Sequence, residues 1–364
     1  MFVNFMIIAV FASLCYWSGQ KGRLETAVAA IGIKEQEDVR ETAASDDGED
    51  YIRWVDFNVS KFALSQAYEY DRDTYGTQAH IRWIDLLAWT AARTGGVFGD
   101  DRAVCGAMEE LEEEIASGKE LERLVKDLTG FSYYQEVYEA VLGGMVGEYE
   151  AEEPDGGADG QTDMTPKYGL KAYHPIAKGF PYTDYDDFGV SRTYGYQRNH
   201  LGHDMMGQTG TPIIAVESGY VEALGWNQYG GWRIGVRSFD RKRYYYYAHL
   251  RQGFPYQPEL KEGSVVLAGD VIGYMGHTGY STTEDTNNID RTHLHFGMQI
   301  IFDESQKDGD GEIWIDCYQI VGFLGRNRSE TARDDETKEW RRIYEIRDPA
   351  AEDYERTVDF SMYP

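Results

Sequence analysis

The sequence predicts a multidomain chain in which an α-helical N-terminal domain precedes a mainly antiparallel β domain. Its 364 residues allow about two domains of ordinary size. Apolar residues recur at helical spacing between about residues 49 and 149, whereas short runs of tyrosine and β-branched residues, bounded by glycine, follow the next linker-like segment. A hydrophobic fraction of 42% supplies enough apolar side chains for a core, which excludes disorder along the whole chain.

The first element is an apolar stretch from Phe2 to Trp17, which is followed by Lys21 and Arg23. It is shorter than the roughly 20 residues of a membrane span and suits a signal peptide or a short anchor. We therefore expect residues 1–20 to form an apolar signal or membrane anchor, through which the protein is exported or membrane-associated. A buried N-terminal helix is the alternative, and the position of the cationic residues leaves the orientation open.

A helical domain of about four helices is predicted at residues 45–149. One apolar block runs from Ile81 to Trp89 and ends near Gly95, and a second set of apolar residues recurs between Met108 and Val125 on a charged background. The charged faces indicate solvated surface, and no residue of this domain suggests chemistry.

Three further segments complete the predicted organisation. Residues 150–166 are acidic, rich in glycine and nearly devoid of large apolar side chains, which is typical of a linker. Strand-like runs, such as Pro212–Val216 and Leu294–Met298, place the β domain at residues 167–328. Residues 329–364 are again charged and favour a helical tail.

Charge and cysteine content exclude two classes of site. The chain carries 35 Lys and Arg against 63 Asp and Glu, a formal net charge of −28 that repels nucleic acid unless a basic patch is present. The densest basic run, Arg241–Arg243, is followed by tyrosines and does not make such a patch. The cysteines Cys15, Cys105 and Cys317 form neither a disulfide framework nor a C-x-x-C pair, so any metal must be held by histidines and carboxylates.

Six of the eight histidines fall between residues 200 and 295. His293 and His295 are two residues apart, so on a strand both project from the same face, and one can bind a metal while the other reaches a substrate. His200 and Asp204 are four apart with a glycine between them. A carboxylate at the start of a strand needs a partner, and zinc is one such partner, because two histidines, one aspartate and a water make an open catalytic site.

At these positions the chain resembles the M23 peptidases, the lysostaphin and LytM-type zinc endopeptidases that cut peptide bridges of bacterial peptidoglycan. The resemblance covers roughly residues 190–300 and begins with an H-x-x-x-D motif. Seven motifs follow one another in the order and spacing of that family: His200–Asp204, Gly210–Ala215, Gly219–Val221, Tyr247–Leu250, Gly263–Gly273, Thr278–Ser281 and His293–Phe296.

The resemblance implies a LytM/lysostaphin-like β fold with a groove and one zinc ion per chain. It makes His200, Asp204 and His295 the metal ligands. It also makes His249 and His293 the catalytic pair, which orients and deprotonates the attacking water or supports the tetrahedral intermediate. An imidazole near its ordinary pKa of about 6.5 suits proton transfer at neutral pH.

Other residues receive a structural or a minor role. The resemblance places a tyrosine near the oxyanion, for which Tyr194 and Tyr196 are candidates. His203 is interpreted as a solvated surface histidine, although it could exchange roles with the first ligand, and His277 as a loop residue. The run Lys307–Ile313 looks like part of a calcium-binding loop but lacks its acidic first and last positions, so we interpret it as a turn.

The resemblance therefore predicts a zinc metalloendopeptidase, a hydrolase of peptidoglycan cross-bridges or stem peptides in the cell envelope of a bacterium. A catalytically silent scaffold or activator of a cell-envelope complex is the alternative, but such proteins typically lack one or more of the five residues present here. A zinc peptidase acting on a protein is a third possibility. In the silent case, either the acidic loop Glu284–Asn288, expected to be flexible, or the helical N-terminal domain would block the groove. Bond specificity and oligomeric state stay open.

Overall fold

The structure is a computed structural model that describes residues 53–55, 57–152, 164–193, 197–307 and 312–357. The predicted signal or anchor at residues 1–20 lies outside these ranges, and so do Tyr194 and Tyr196. Within the described ranges, no helix combines the length and the apolar character that crossing a membrane requires. The described residues form two compact units, divided at Gly143 and Gly144, and part of residues 302–313 belongs to the first.

The first unit is helical, as predicted. Two of its helices begin at a side chain that satisfies the first free N–H groups: Ser60 Oγ accepts from Ala63 N–H, and Asp100 accepts from Arg102 N–H and Ala103 N–H. Gly95, in the left-handed region at φ 66°, ends one helix. The elements are β1 (Arg53–Val55), α1 (Lys61–Thr74), α2 (Trp83–Thr94), α3 (Asp101–Ala116), α4 (Leu121–Val125), α5 (Phe131–Leu142) and a 3-10 turn (Glu304–Gln306).

Helix α2 supplies the centre of the core of this unit. Leu86, Leu87 and Ala88 are fully buried, so the helix is apolar over most of its circumference. The buried Asp71 of α1 accepts a hydrogen bond from Trp83 N–H at 2.8 Å, which ties α1 to the first turn of α2. These contacts hold the helices of the unit together.

The second unit is mainly antiparallel β structure, which confirms the predicted fold class. Its long strands come from runs rich in tyrosine and β-branched residues. The remaining strands and helices of the described residues are β2 (Val146–Glu152), β3 (Met164–Leu170), β4 (Thr183–Asp184), β5 (Ser191–Thr193), β6 (Gln197–Asn199), β7 (His203–Met206), β8 (Pro212–Ile214), β9 (Gly219–Asn227), β10 (Gly231–Ser238), β11 (Arg243–Ala248), β12 (Val265–Val266), β13 (Val271–Tyr274), β14 (His293–Ile300), β15 (Ile313–Ile315), α6 (Tyr318–Leu324), β16 (Thr331–Arg333), β17 (Trp340–Arg342), β18 (Ile346–Arg347) and α7 (Pro349–Thr357).

The central sheet runs β7-β14-β11-β10-β9-β12, and all of these neighbours are antiparallel. Its register matters for the site, because Asp204 on β7 lies opposite His295 on β14 and His295 lies opposite Ala248 on β11. The loop that begins at His249 therefore starts beside the paired residues. Three strands that are distant in sequence thus bring their polar ends to one place.

The tyrosine run of β11 alternates between the core and the partly exposed face of the sheet. Tyr245 and Tyr247 are fully buried, whereas Tyr244 and Tyr246 are partly exposed. The buried hydroxyls have partners: Tyr245 Oη donates to Glu217 at 2.6 Å, and Tyr247 Oη accepts from Val216 N–H at 3.0 Å. The run is therefore ordinary strand packing, with polar partners for its buried hydroxyls.

The predicted linker and tail both contain strands. The ends of the acidic segment lie in β2 and β3, which pair with each other. The tail contains β16, β17 and β18 before its only described helix, α7. In the tail, Trp340 of β17 packs against Phe180 with ring centroids 5.1 Å apart, and Tyr354 of α7 stacks on Tyr220 at 5.2 Å. The charged residues of the tail favour a helix and give no indication of these packing contacts.

Candidate metal centre

The two strand-borne residues of the site are placed by the pairing of β7 with β14. Asp204 and His295 are opposite one another in that pair, so their side chains leave the sheet on the same face. His200 lies just before β7, and the chain between them contains Gly202. A Cβ atom at Gly202 would lie 2.5 Å from His295 Cε1, so only glycine lets the imidazole approach this closely.

Three donor atoms converge at this point. Asp204 Oδ1 lies 3.0 Å from His200 Nε2 and 2.9 Å from His295 Nδ1, and the two nitrogens are 3.1 Å apart. Tetrahedral zinc with ligands at its usual distances separates neighbouring donors by about 3.4 Å. Among the described residues, this is the group of three histidine, cysteine or carboxylate side chains that could hold a metal ion.

The donor set fits zinc by its chemistry as well as by its spacing. Two ring nitrogens and a carboxylate oxygen direct lone pairs at one another, an arrangement that needs protons or a cation between them. His200 is 5% exposed and Asp204 is 3% exposed, so bulk water cannot take that place. Imidazole and carboxylate are zinc ligands, and three of them leave a fourth position open.

His249 and His293 stand beside this group with their ring orientations held by main-chain carbonyls. His249 Nδ1 lies 2.9 Å from Thr278 O, and His293 Nδ1 lies 2.8 Å from Arg291 O. A carbonyl oxygen only accepts, so each Nδ1 carries the hydrogen and each Nε2 of the neutral ring keeps its lone pair. The two rings are 4.7 Å apart between centroids. The structure thus brings all five predicted residues together.

The backbone of His249 adopts a conformation that favours glycine. Its φ is 62°, in the left-handed region, where a non-glycine residue costs free energy. Two contacts hold it there: its N–H donates to Gly230 O at 2.8 Å, and its ring is held by Thr278. In this backbone conformation, the imidazole of His249 lies beside His293 and the donor atoms.

Burial and hydrogen bonding set the charges of the site. Burial by itself would raise the pKa of Asp204, but hydrogen bonds from His200 and His295 hold that pKa well below its usual range. Burial, with His293 and His295 nearby, lowers the pKa of His249 well below its ordinary value. At neutral pH the Asp204 carboxylate is therefore ionised and the His249 imidazole is neutral.

The sequence interpretation missed Arg192 and Asp187. Arg192 Nη1 lies 2.8 Å from Asp204 Oδ2, and Arg192 Nη2 pairs with Asp187 Oδ2. Asp187 Oδ1 lies 3.1 Å from His200 Nδ1. Neither residue lies in one of the seven sequence motifs. The signal that could have found them is an arginine within an acidic stretch shortly before the first ligand.

His203 is buried, which corrects its interpretation as a solvated surface histidine. It is 2% exposed, and its Nε2 lies 3.0 Å from Asp184 Oδ2. Because it adjoins Asp204 on a strand, its side chain projects from the opposite face, away from the donor atoms. Its ring packs against Tyr318 at 5.2 Å between centroids. His203 therefore has a partner of its own and does not exchange roles with His200.

The loop between β13 and β14 is anchored, which differs from the expected flexible segment. Asp285 Oδ1 accepts hydrogen bonds from Trp232 Nε1 at 2.7 Å and from Gly253 N–H at 2.8 Å. His277 lies in this loop, as predicted, and its Nδ1 is 2.8 Å from Ile289 O. These hydrogen bonds to Asp285 hold the acidic loop against the sheet, although the loop contains few apolar side chains.

Part of this chain is similar to known peptidases. Residues 198–308 match the model of peptidase family M23. The L-Ala–D-Glu endopeptidase of Bacillus subtilis is 39% identical over 138 residues, which cover 35% of this chain and 41% of that protein. Lysostaphin of Staphylococcus simulans is 38% identical over 102 residues, which cover 28% of this chain and 18% of that protein.

A solved structure, the catalytic domain of lysostaphin from Staphylococcus simulans, is 33% identical and has a TM-score of 0.28. The matched part covers 34% of this chain and 85% of that domain. The chain spans about two fifths of the first relative and about a fifth of the second.

Proposed function

We propose that this chain is a zinc-dependent endopeptidase that hydrolyses peptide bonds in bacterial peptidoglycan, because residues 198–308 match the model of peptidase family M23. The observation that carries the proposal is the convergence of His200, Asp204 and His295 donor atoms beside His249 and His293. The substrate is a cross-bridge or a stem peptide, and the place of action is the bacterial cell envelope. Relatives named for L-Ala–D-Glu and for glycyl-glycine bonds support this substrate class.

His200 Nε2, Asp204 Oδ1 and His295 Nδ1 would hold the metal ion. Zinc bound by three protein ligands acts as a Lewis acid and lowers the pKa of a bound water to about 7. The role of these three residues is to present lone pairs in a fixed geometry. The pairing of β7 with β14 and the close approach at Gly202 provide that geometry without further movement.

His249 and His293 would accept and donate the protons that the hydrolysis requires. Each keeps a lone pair on Nε2, because Nδ1 donates to a carbonyl, so each can accept the proton of the attacking water. The resulting imidazolium can donate to the developing oxyanion or return the proton to the leaving amine. His293 Nε2 lies 3.7 Å from Asp204 Oδ2, which places this nitrogen beside the proposed metal ligands.

The experiment that tests the proposal is mass spectrometry of purified, cross-linked peptidoglycan after incubation with the zinc-loaded full chain. New free amino ends would establish an endopeptidase, and the masses of the fragments would identify the bond. His293→Ala should make no such ends. His277→Ala is the matched control: it removes a loop histidine of the same segment that bonds only Ile289 O, and it should cut as the unmodified protein does.

Two other outcomes would overturn the proposal. Zinc bound at one ion per chain, without cleavage, would show a silent scaffold or activator. Cleavage of casein or oligoglycine peptides, with intact sacculi left uncut, would show a peptidase that acts on another substrate.

A further inference from the structure

Two residues outside the family motifs reach the donor atoms of the site. Arg192 lies on β5, and Asp187 lies in the segment before it. Arg192 Nη1 is 2.8 Å from Asp204 Oδ2, its Nη2 pairs with Asp187 Oδ2, and Asp187 Oδ1 is 3.1 Å from His200 Nδ1. With the 3.0 Å contact between His200 and Asp204, these four side chains form a closed ring. Two of the three donor residues belong to it.

We propose that Arg192 and Asp187 are positioning residues that hold Asp204 and His200 in the orientation in which they bind zinc. The inference rests on the zinc site of the proposed function, but it concerns metal affinity and can be tested without a peptide substrate. It assigns one joint role to two residues that are five positions apart in the chain.

Arg192 determines which oxygen of Asp204 is presented to the metal. Oδ1 faces both imidazole nitrogens, whereas Oδ2 is hydrogen-bonded by the guanidinium. The side chain of Asp204 is 4% exposed, so water cannot replace a lost partner freely. Without Arg192 the carboxylate would turn about its terminal bond and would lose the single orientation that Oδ1 now has.

Asp187 determines which nitrogen of His200 is presented to the metal. His200 Nδ1 faces two oxygens of Asp187: it donates to the main-chain oxygen at 3.3 Å, and the carboxylate Oδ1 lies 3.1 Å away as an ion-pair contact outside hydrogen-bond geometry. Nδ1 therefore carries the hydrogen, and Nε2 keeps its lone pair toward the metal position. Outer partners of this kind fix the tautomer and the ring orientation of a ligating histidine.

An arginine suits the link between the two carboxylates better than a lysine. The planar guanidinium donates from two terminal nitrogens at once, so one side chain spans Asp187 and Asp204 in a fixed geometry. Its charge also offsets two acidic groups that would otherwise repel each other beside the metal. A lysine would keep the charge but would pair with one carboxylate at a time.

The test is the zinc affinity of the full chain, measured by competition with a chelating dye, for the unmodified protein, Arg192→Gln, Arg192→Lys and Asp187→Asn. We expect Arg192→Gln and Asp187→Asn each to weaken zinc binding about 10- to 100-fold, the range known for outer-shell partners. Arg192→Lys should fall between the unmodified protein and Arg192→Gln. The absorption spectrum of the cobalt-loaded protein should change shape in Arg192→Gln, because the ligand geometry changes.

Arg342→Gln is the matched control. It removes another arginine of the same unit that pairs with an aspartate, Asp270, at 3.2 Å, and its side chain is 7% exposed. It should leave zinc affinity unchanged, because this pair contacts no donor residue. The double variant Arg192→Gln/Asp187→Asn should weaken binding by less than the product of the single effects, because both residues act through one ring.

Three results would overturn the inference. Arg192→Gln could bind zinc within twofold of the unmodified protein, or Arg342→Gln could weaken binding equally, which would indicate general destabilisation. An unmodified protein that binds no zinc would overturn the metal site together with the inference. An unmodified protein that binds zinc without cutting peptidoglycan would contradict only the proposed function, and the variant affinities would still decide the positioning role.

Discussion

Asp204 and His295 are direct partners across two antiparallel strands, and their Oδ1 and Nδ1 atoms are 2.9 Å apart. Strand pairing fixes this distance more firmly than a loop would, because the register of β7 against β14 sets both Cα positions. His293 lies two residues earlier on β14, so it shares the face of His295 and reaches the same space. One strand therefore supplies a proposed ligand and a proposed proton acceptor.

This division of roles predicts different effects for the two histidines of β14. His295→Ala removes one of three donors, so we expect it to lose both stoichiometric zinc and hydrolysis. His293→Ala leaves the donors in place, so it should keep most of the zinc but lose about 10²- to 10⁴-fold in turnover, the usual contribution of a general acid–base group. Metal analysis after gel filtration and peptidoglycan hydrolysis on the same samples would measure both. Full activity in His293→Ala would contradict the proposed role.

Gly202→Ala should damage the metal site more than it damages the fold. The new Cβ would lie 2.5 Å from His295 Cε1 and 2.9 Å from Phe296 O, so the imidazole must move away from its present position. We expect weaker zinc binding, measured by dye competition, together with a lower rate of hydrolysis. Gly106→Ala is the control, because a Cβ there meets nothing within 4 Å and alanine favours a helix by about 1 kcal/mol. Unchanged zinc affinity in Gly202→Ala would show that the imidazole of His295 can shift without a loss of zinc binding.

The five histidine and aspartate residues could be predicted from sequence because they lie in motifs of fixed spacing. Strand periodicity also predicts that His293 and His295 share a face. Arg192 and Asp187 could not be predicted in this way, because their contacts depend on where the β5 segment returns to the sheet, and their distance from Asp204 along the chain follows no structural period. Burial of His203 was missed because its partner, Asp184, lies on another short strand, β4.

Long-range contacts also explain why the tail contains strands where its sequence predicts a helix. A charged segment with helix-forming residues favours a helix locally, yet β16, β17 and β18 form there. Tertiary contacts decide this: Tyr274 Oη donates to Glu339 at 2.5 Å and accepts from Trp340 N–H at 3.0 Å. Such long-range contacts override local propensity and leave no periodic signal in the sequence.

Thr278 is expected to act through His249. Its hydroxyl donates to Leu250 O at 2.6 Å and accepts from Trp232 N–H at 3.1 Å, while its carbonyl holds the His249 ring. Thr278→Val keeps the shape but leaves these buried groups without partners, at a cost of about 1–3 kcal/mol in the free energy of unfolding. Turnover should fall while zinc affinity is kept.

Thr278→Ser is the matched control for this substitution, because it retains the hydroxyl. Urea unfolding and hydrolysis kinetics would be measured on both variants. A valine variant with the stability and turnover of the unmodified protein would show that the hydroxyl contacts do not hold the loop.

His174 should make the stability of the protein depend on pH in the acidic range. It is fully buried, Ile176 N–H donates to its Nδ1 at 3.0 Å, and its Nε2 lies 2.9 Å from Tyr182 Oη. Burial, followed by the charge of Arg328, lowers its pKa to about 4. Protonation therefore favours the unfolded chain, in which the pKa is about 6.5.

The free energy that His174 contributes should be complete above about pH 6.5 and should fall as the pH drops toward 4, by at most about 3 kcal/mol. Urea unfolding of the metal-free protein between pH 7 and pH 4 would measure the slope, with a chelator present so that zinc release does not contribute. His174→Gln cannot take up this proton, so its stability should fall less steeply with acidification than that of the unmodified protein. Parallel pH profiles for the two proteins would show that His174 is protonated equally in the folded and unfolded states.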